Sequence, residues 1–172
     1  MGADHMSFSL IPDMITDALT DLTPSMLRKR GIRLLMLDFD NTIVPYTTSV
    51  PTTKMADWLQ MMVESDIQVC VVSNSKNNRV REFCKLYGID CITHARKPFT
   101  GGIQRCLRKY KLDPDEAALV GDQIYTDTLG AKSAGVTAIL VKAIDNHNIW
   151  LKLRHVAELP FIYAGKNRRL KK

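Results

Sequence analysis

The chain has 172 residues, of which 45% are hydrophobic and 24% charged, and its formal net charge is +6. That balance fits a globular domain with a full core and excludes a chain too polar to collapse. No apolar run approaches the roughly 20 residues a membrane-spanning helix needs, and no charged start precedes an apolar middle as in a secretory leader, so a cytoplasmic protein is expected.

The opening Met1–His5, followed by a second methionine at Met6, reads as a cloning remnant. A single domain is expected over residues 6–160, with a basic tail over 161–172. Four cysteines, Cys70, Cys84, Cys91 and Cys106, show no C-x-x-C spacing, which argues against zinc and disulfides and for reduced thiols. From Leu151 onward seven bases (Lys152, Arg154, Lys166, Arg168, Arg169, Lys171, Lys172) face one acid, Glu158, so this end carries the whole net charge. It is either a solvated tail or a surface for anionic lipid or nucleic acid.

In chain order, Phe8 to Ile11 is apolar, and after Pro12 the spacing of Met14, Ile15, Ala18 and Leu19 predicts a short helix. A second short helix begins at Thr23 with Pro24 in its first turn and ends at Gly31. Leu34 to Leu37 reads as a strand buried on both faces, and Asp38 and Asp40 sit where it runs out. Pro45 and Pro51 bracket a polar loop. Met55, Trp58, Leu59, Met62 and Val63 then share one helix face and are read as core.

Gln68 to Ser73 repeats the pattern of an apolar strand ending in a polar group, followed by Asn74. A helix over 78–87 closes at Gly88, a short strand spans Asp90 to Thr93, and Lys97 follows in a loop. A helix over 100–110 buries Ile103, Cys106, Leu107 and Tyr110 and leaves Arg105, Arg108, Lys109 and Lys111 to water. Ala117 to Val120 is a strand that stops at Gly121 and Asp122; a helix over 126–134 and a strand over Thr137 to Val141 complete the alternation. The expected fold is α/β, a Rossmann-like, doubly wound parallel sheet of about five strands.

Three strands therefore end in chemistry-bearing residues: Asp38 with Asp40, Ser73 with Asn74, and Asp122 followed by Asp127. Neighbouring parallel strands lie about 5 Å apart, so these ends can meet around one phosphate-sized group. Carboxylates hold a magnesium ion, a hydroxyl and backbone amides hold phosphoryl oxygens, and Lys97 offsets the gathered negative charge.

In this arrangement the sequence resembles the haloacid dehalogenase (HAD) superfamily of aspartyl-phosphate phosphatases. The DxDxT motif matches Asp38, Asp40 and Thr42; the second-motif hydroxyl matches Ser73; the lysine matches Lys97; GDxxxTD matches Gly121, Asp122, Thr126 and Asp127. The resemblance implies that Asp38 attacks phosphorus and that Asp40 acts as acid and then base. It implies Mg²⁺ held by Asp38, the Asp40 backbone carbonyl and Asp122, with Asp127 orienting a metal-bound water or the Lys97 ammonium. Thr42, Ser73, Asn74 and Lys97 are the implied substrate contacts.

Residues 43–72 and 74–96 leave no room for an inserted lid, so a capless, open site is expected, suited to a large substrate or to a lid from another subunit. Within the capless branch (subfamily IIIA) LIPDM, GIRLLMLDFDNTIVP and GDQIYTD resemble the YqeG-like family, similar to phosphatidylglycerophosphate phosphatases. Asn41 stands where the superfamily often has Gly. An apolar helix face of Ile149, Trp150, Leu153, Val156 and Ala157, beside the basic tail, either packs on the sheet or lies on the inner face of a membrane as a peripheral contact. The expectation is thus a magnesium-dependent phosphatase acting on phosphatidylglycerophosphate or another membrane-presented phosphate. The alternatives are an RNA- or protein-binding adaptor on the same fold, and a phosphatase for a small sugar or nucleotide phosphate.

Overall fold

The computed structural model describes residues 9–145 and 149–165, with only the backbone described for 149–156. The expected leader at 1–5, the basic run from Lys166 onward, and the side chains of Ile149, Trp150, Leu153 and Val156 lie outside the described residues.

Six strands form one parallel sheet: β1 (Met14–Thr16), β2 (Leu34–Leu37), β3 (Gln68–Val72), β4 (Asp90–Ile92), β5 (Ala117–Gly121) and β6 (Thr137–Val141). Their order across the sheet is β1-β6-β5-β2-β3-β4. Among the described residues the α-helices are α1 (Pro24–Arg28), α2 (Thr53–Val63), α3 (Asn78–Leu86), α4 (Gly101–Tyr110), α5 (Leu129–Ala134) and α6 (Ile149–Ala164).

The four residues of β2 are all fully buried, because the strand is flanked in the sheet by β3 and β5 and covered on both faces. Side-chain alternation splits the core accordingly. Leu35 and Leu37 join Trp58, Leu59, Met62, Val80 and Phe83 of α2 and α3. Leu34 and Met36 join Ile103, Cys106, Leu107 and Ala131 of α4 and α5. At about 1.5–3 kcal/mol for each fully buried aliphatic side chain, this central strand anchors both layers.

Capping residues set the helix starts. Thr23, Thr52 and Asn77 each accept a backbone N–H from the first turn of α1, α2 and α3. Gly88, at φ +64°, turns the chain out of α3 in the left-handed region. Trp58 lies in the core and satisfies its indole N–H on the Leu22 carbonyl at 2.7 Å. Val63, expected on the same buried face, is 39% exposed at the end of α2. All four cysteines are free thiols.

Two local expectations are corrected. The residues read as a short helix after Pro12 contain β1, which pairs with β6 through Met14 and Ile139, Ile15 and Leu140, and Thr16 and Val141; Leu19–Asp21 is one 3-10 turn. A three-residue strand buried throughout shows no alternation, so its apolar pair mimics a helix spacing. The segment before α5 is a π-helical turn over Ile124–Thr128 rather than α-helix. In α6, Ala157 is exposed, and the helix packs through Phe161 and Ile162 against Ile15, Ile124 and Leu140. No helix among the described residues is long and apolar enough to cross a membrane.

Candidate active site

From β2 the sheet extends one way through β3 and β4 and the other way through β5, β6 and β1, so β2 is the switch point where a crevice opens beyond the carboxyl ends. Asp38 stands at that point, with its N–H on the Val120 carbonyl of β5 at 2.8 Å. Asp122 follows β5 directly, and Asp127 returns to it through the π turn. Asp38, Asp122 and Asp127 each offer a carboxylate oxygen, all within 4.8 Å of one another, and all three residues are buried.

Gly121 makes the close return possible: a Cβ there would lie 2.3 Å from Asp127 Cγ. The Asp127 Oδ2 also accepts the Gln123 N–H at 3.2 Å. Glycine before the aspartate is therefore a packing requirement of the carboxylate six residues on.

Lys97 lies between two of these acids, its Nζ 2.6 Å from Asp38 Oδ1 and 2.7 Å from Asp127 Oδ1. Its backbone is clamped by Asn74, whose Oδ1 accepts the Lys97 N–H at 2.6 Å and whose Nδ2 donates to the Lys97 carbonyl at 2.9 Å. The Asn74 carboxamide thus positions the lysine. Ser73 is buried, and its Oγ accepts the Ser75 N–H at 3.0 Å.

Burial pushes the Asp38 carboxyl up to about 7, against the pull of Lys97 and with the push of Asp127 and Asp40. Burial works against the Lys97 charge, but Asp127 and Asp38 more than offset it and hold the ammonium above the usual lysine range. Three buried carboxylates thus gather beside one buried ammonium, which pairs with two of them, Asp38 and Asp127. The donors are hard oxygens with an excess of negative charge, a set that fits Mg²⁺.

The Asp40 side chain points elsewhere. It pairs with the Arg79 guanidinium from the first turn of α3, which also donates to the Tyr46 carbonyl at 2.8 Å and lies over the Phe39 ring at 5.1 Å. Burial lifts the Asp40 carboxyl above its ordinary value, and Arg79 opposes the shift. Sequence reading missed Arg79; its only signal was a base in the first turn after the second motif, where an acid suits the helix dipole better.

Asn41 occupies the left-handed region at φ +66°, which accounts for glycine as its common substitute. Its side chain adds what glycine cannot: Nδ2 donates to the Asp145 carbonyl at 2.6 Å and Oδ1 accepts the Asp145 N–H at 2.9 Å. Thr42 is buried beneath this turn, 1% exposed, with no partner for its hydroxyl among the described residues. Glu158, counted only as a tail acid in the sequence, is buried and accepts the Ile124 N–H at 3.0 Å, bracing the π turn that carries Asp127.

A crevice of strand-end carboxylates around a buried lysine, on a doubly covered parallel sheet, defines a phosphoryl-transfer class of site. The HAD-hydrolase-like family model matches residues 94–147. The chain is 34% identical over 131 residues, 76% of each chain, to the Bacillus subtilis protein named "Probable phosphatase YqeG". Two solved structures share the fold. The cobalt-bound deoxy-D-mannose-octulosonate 8-phosphate phosphatase from Haemophilus influenzae has a TM-score of 0.54 at 14% identity over 80% of this chain and 91% of its own. The 3-deoxy-D-manno-octulosonate 8-phosphate phosphatase from Yersinia pestis has 0.52 at 15% over 84% and 89%. The chain belongs to the HAD superfamily, within its YqeG-type family of phosphatases. It is a phosphoric monoester hydrolase.

Proposed function

We propose that the protein is a Mg²⁺-dependent phosphomonoesterase working through an aspartyl phosphate on Asp38. The observation that carries this reading is the contact of the buried Asp38 carboxylate with Lys97 at the sheet's switch point. A carboxylate oxygen of Asp38 attacks phosphorus as the bond to the leaving oxygen breaks, and Asp40 gives that oxygen its proton. Water then attacks the phosphorus of the acyl phosphate, Asp40 takes the proton, and the bond to Asp38 breaks to release phosphate.

Asp38, the Asp40 backbone carbonyl and Asp122 would hold Mg²⁺, which supplies charge neutralisation for the phosphoryl group. Asp127 holds the Lys97 ammonium in place. Thr42, Ser73, the Asn74 backbone amide and Lys97 receive the phosphoryl oxygens. The expected measurement is Mg²⁺-dependent phosphate release that disappears in Asp38→Asn. Full turnover by that variant would end the covalent mechanism.

For the substrate we infer a large phosphate presented at a membrane surface, phosphatidylglycerophosphate being the leading candidate. Support comes from the connections: one loop and α2 join β2 to β3, and α3 alone joins β3 to β4, so no lid covers the crevice there. The loops beyond the strand ends also expose apolar side chains, Tyr46 at 45%, Val50 at 74% and Ile144 at 46%. Phosphatidylglycerophosphate in detergent micelles should be hydrolysed with a higher kcat/KM than sugar or nucleotide phosphates. The reverse order would favour a small substrate with a lid from another subunit.

A further inference from the structure

A second cationic feature lies outside the carboxylate site. A cavity of about 430 Å³ is lined by His94, Ala95, Arg96, Phe99, Gly101, Gly102, Arg105 and Arg108. Arg96, Arg105 and Arg108 are exposed, and no carboxylate among the described residues pairs with any of them. Arg105 and Arg108 are three apart on α4, where like charges repel, and Arg96 adds a third guanidinium.

Two contacts orient this cluster. Arg105 donates to the carbonyls of Thr93 at 3.4 Å and His94 at 3.3 Å, which draws its planar fork over the loop. His94 and Arg96 both adopt positive φ, 53° and 59°, on either side of buried Ala95. Non-glycine residues in that region carry a local cost, so the surrounding packing must hold the loop in place. Gly102 explains part of that packing, since a Cβ there would lie 2.6 Å from Ala95 Cβ; Gly101 faces open space. Beside the arginines Phe99 leaves 74% of its surface exposed.

We propose that this groove is a binding site for a small phosphate-bearing molecule, whose anionic end is taken by Arg96, Arg105 and Arg108 and whose apolar part lies on Phe99. Guanidinium forks match phosphate oxygens two at a time. The volume is that of a small-molecule pocket, and α4 advances only about 10 Å from Gly101 to Arg108, which suits a compact ligand. Because Arg96 adjoins Lys97, a bound anion also braces the loop that delivers the buried ammonium. The site goes beyond the hydrolytic reading and does not depend on it.

The test is calorimetric titration of inorganic pyrophosphate into the full chain in the presence of a chelator, where no turnover is needed. One equivalent should bind. Arg105→Gln/Arg108→Gln should weaken it at least about tenfold, whereas Lys29→Gln/Lys85→Gln, which removes the same charge from exposed positions elsewhere, should change it less than about twofold. In amide spectra of the unaltered protein, pyrophosphate should shift Gly101, Gly102 and the arginine side-chain signals, a readout independent of whether the variants fold. Shifts confined to Ser73, Asn74 and Gly121 would place the anion among the carboxylates and overturn the proposal. So would equal weakening in both double variants. Binding of an oligonucleotide or of phosphatidylglycerol vesicles without binding of pyrophosphate would also overturn it.

Discussion

The guanidinium of Arg79 clasps the carboxylate of Asp40 across 39 residues of sequence, while also bonding the Tyr46 carbonyl and covering Phe39. One side chain thereby ties the start of α3 to the loop after β2. If Asp40 transfers the proton, Arg79 sets where its carboxylate points.

Arg79→Gln should therefore lower kcat by about 10–100-fold, within the range that general acid–base catalysis contributes. The loss should be larger for alkyl phosphates, which need protonation of the leaving oxygen, than for p-nitrophenyl phosphate. Equal losses on both would assign Arg79 to packing of the loop alone.

Divalent cation should stabilise the protein. Binding only to the native state at a hundredfold excess over Kd adds about 2.7 kcal/mol, read as a rise in unfolding midpoint with Mg²⁺. Removing the cation with a chelator reverses the rise. Asp122→Asn should abolish the response, since it deletes one carboxylate of the buried cluster; an undiminished response would remove Asp122 from the metal site.

At position 41 the expected order of stability is Asn, then Gly, then Ala. Asn41→Gly keeps the left-handed backbone but loses both bonds to Asp145, whereas Asn41→Ala loses them and adds about 1–2 kcal/mol of backbone strain. Denaturant midpoints check the order. Alanine above glycine would show that the backbone relaxes away from φ +66°.

The pair on the outer strand predicts an acid-sensitive contribution. Hydrogen bonds from Lys109 and Tyr110 hold the Asp90 carboxyl below its usual range. A lowered folded value means stability that is present above the unfolded value of about 3.9 and lost as pH falls through the folded one. Both partners in the ion pair are nearly half exposed, so solvent screening keeps the effect to a few tenths of a kcal/mol. The stability gap between Asp90→Asn and the unaltered protein should be present at pH 7 and close below about pH 3; a gap unchanged at pH 3 would show that the ionised carboxylate is not its source.

Local chemistry wrote much of this molecule legibly. Apolar runs ending in Asp38, Ser73 and Asp122 identify central strands because a strand buried on both faces has no polar positions until it leaves the sheet. Threonine before Pro24 and glycine at 88 mark helix ends because each meets a local backbone need. What remained hidden depends on partners distant in sequence. β1 is a strand only because β6, more than 120 residues later, supplies its hydrogen bonds. Glu158 reads as a tail acid but is buried against the π turn, and Arg79 reads as a surface base but holds Asp40.

The sequence by itself determined the superfamily motifs, their order and their places at strand ends, since these rest on residue type and short-range spacing. Only the tertiary structure decided that Lys97 bridges Asp38 and Asp127, that Asn74 clamps the lysine's backbone, and that Gly121 is the space Asp127 occupies. The reason is physical: periodicity records which side of an element is buried, but charge pairing and close contact depend on chain segments that meet only after the sheet is assembled.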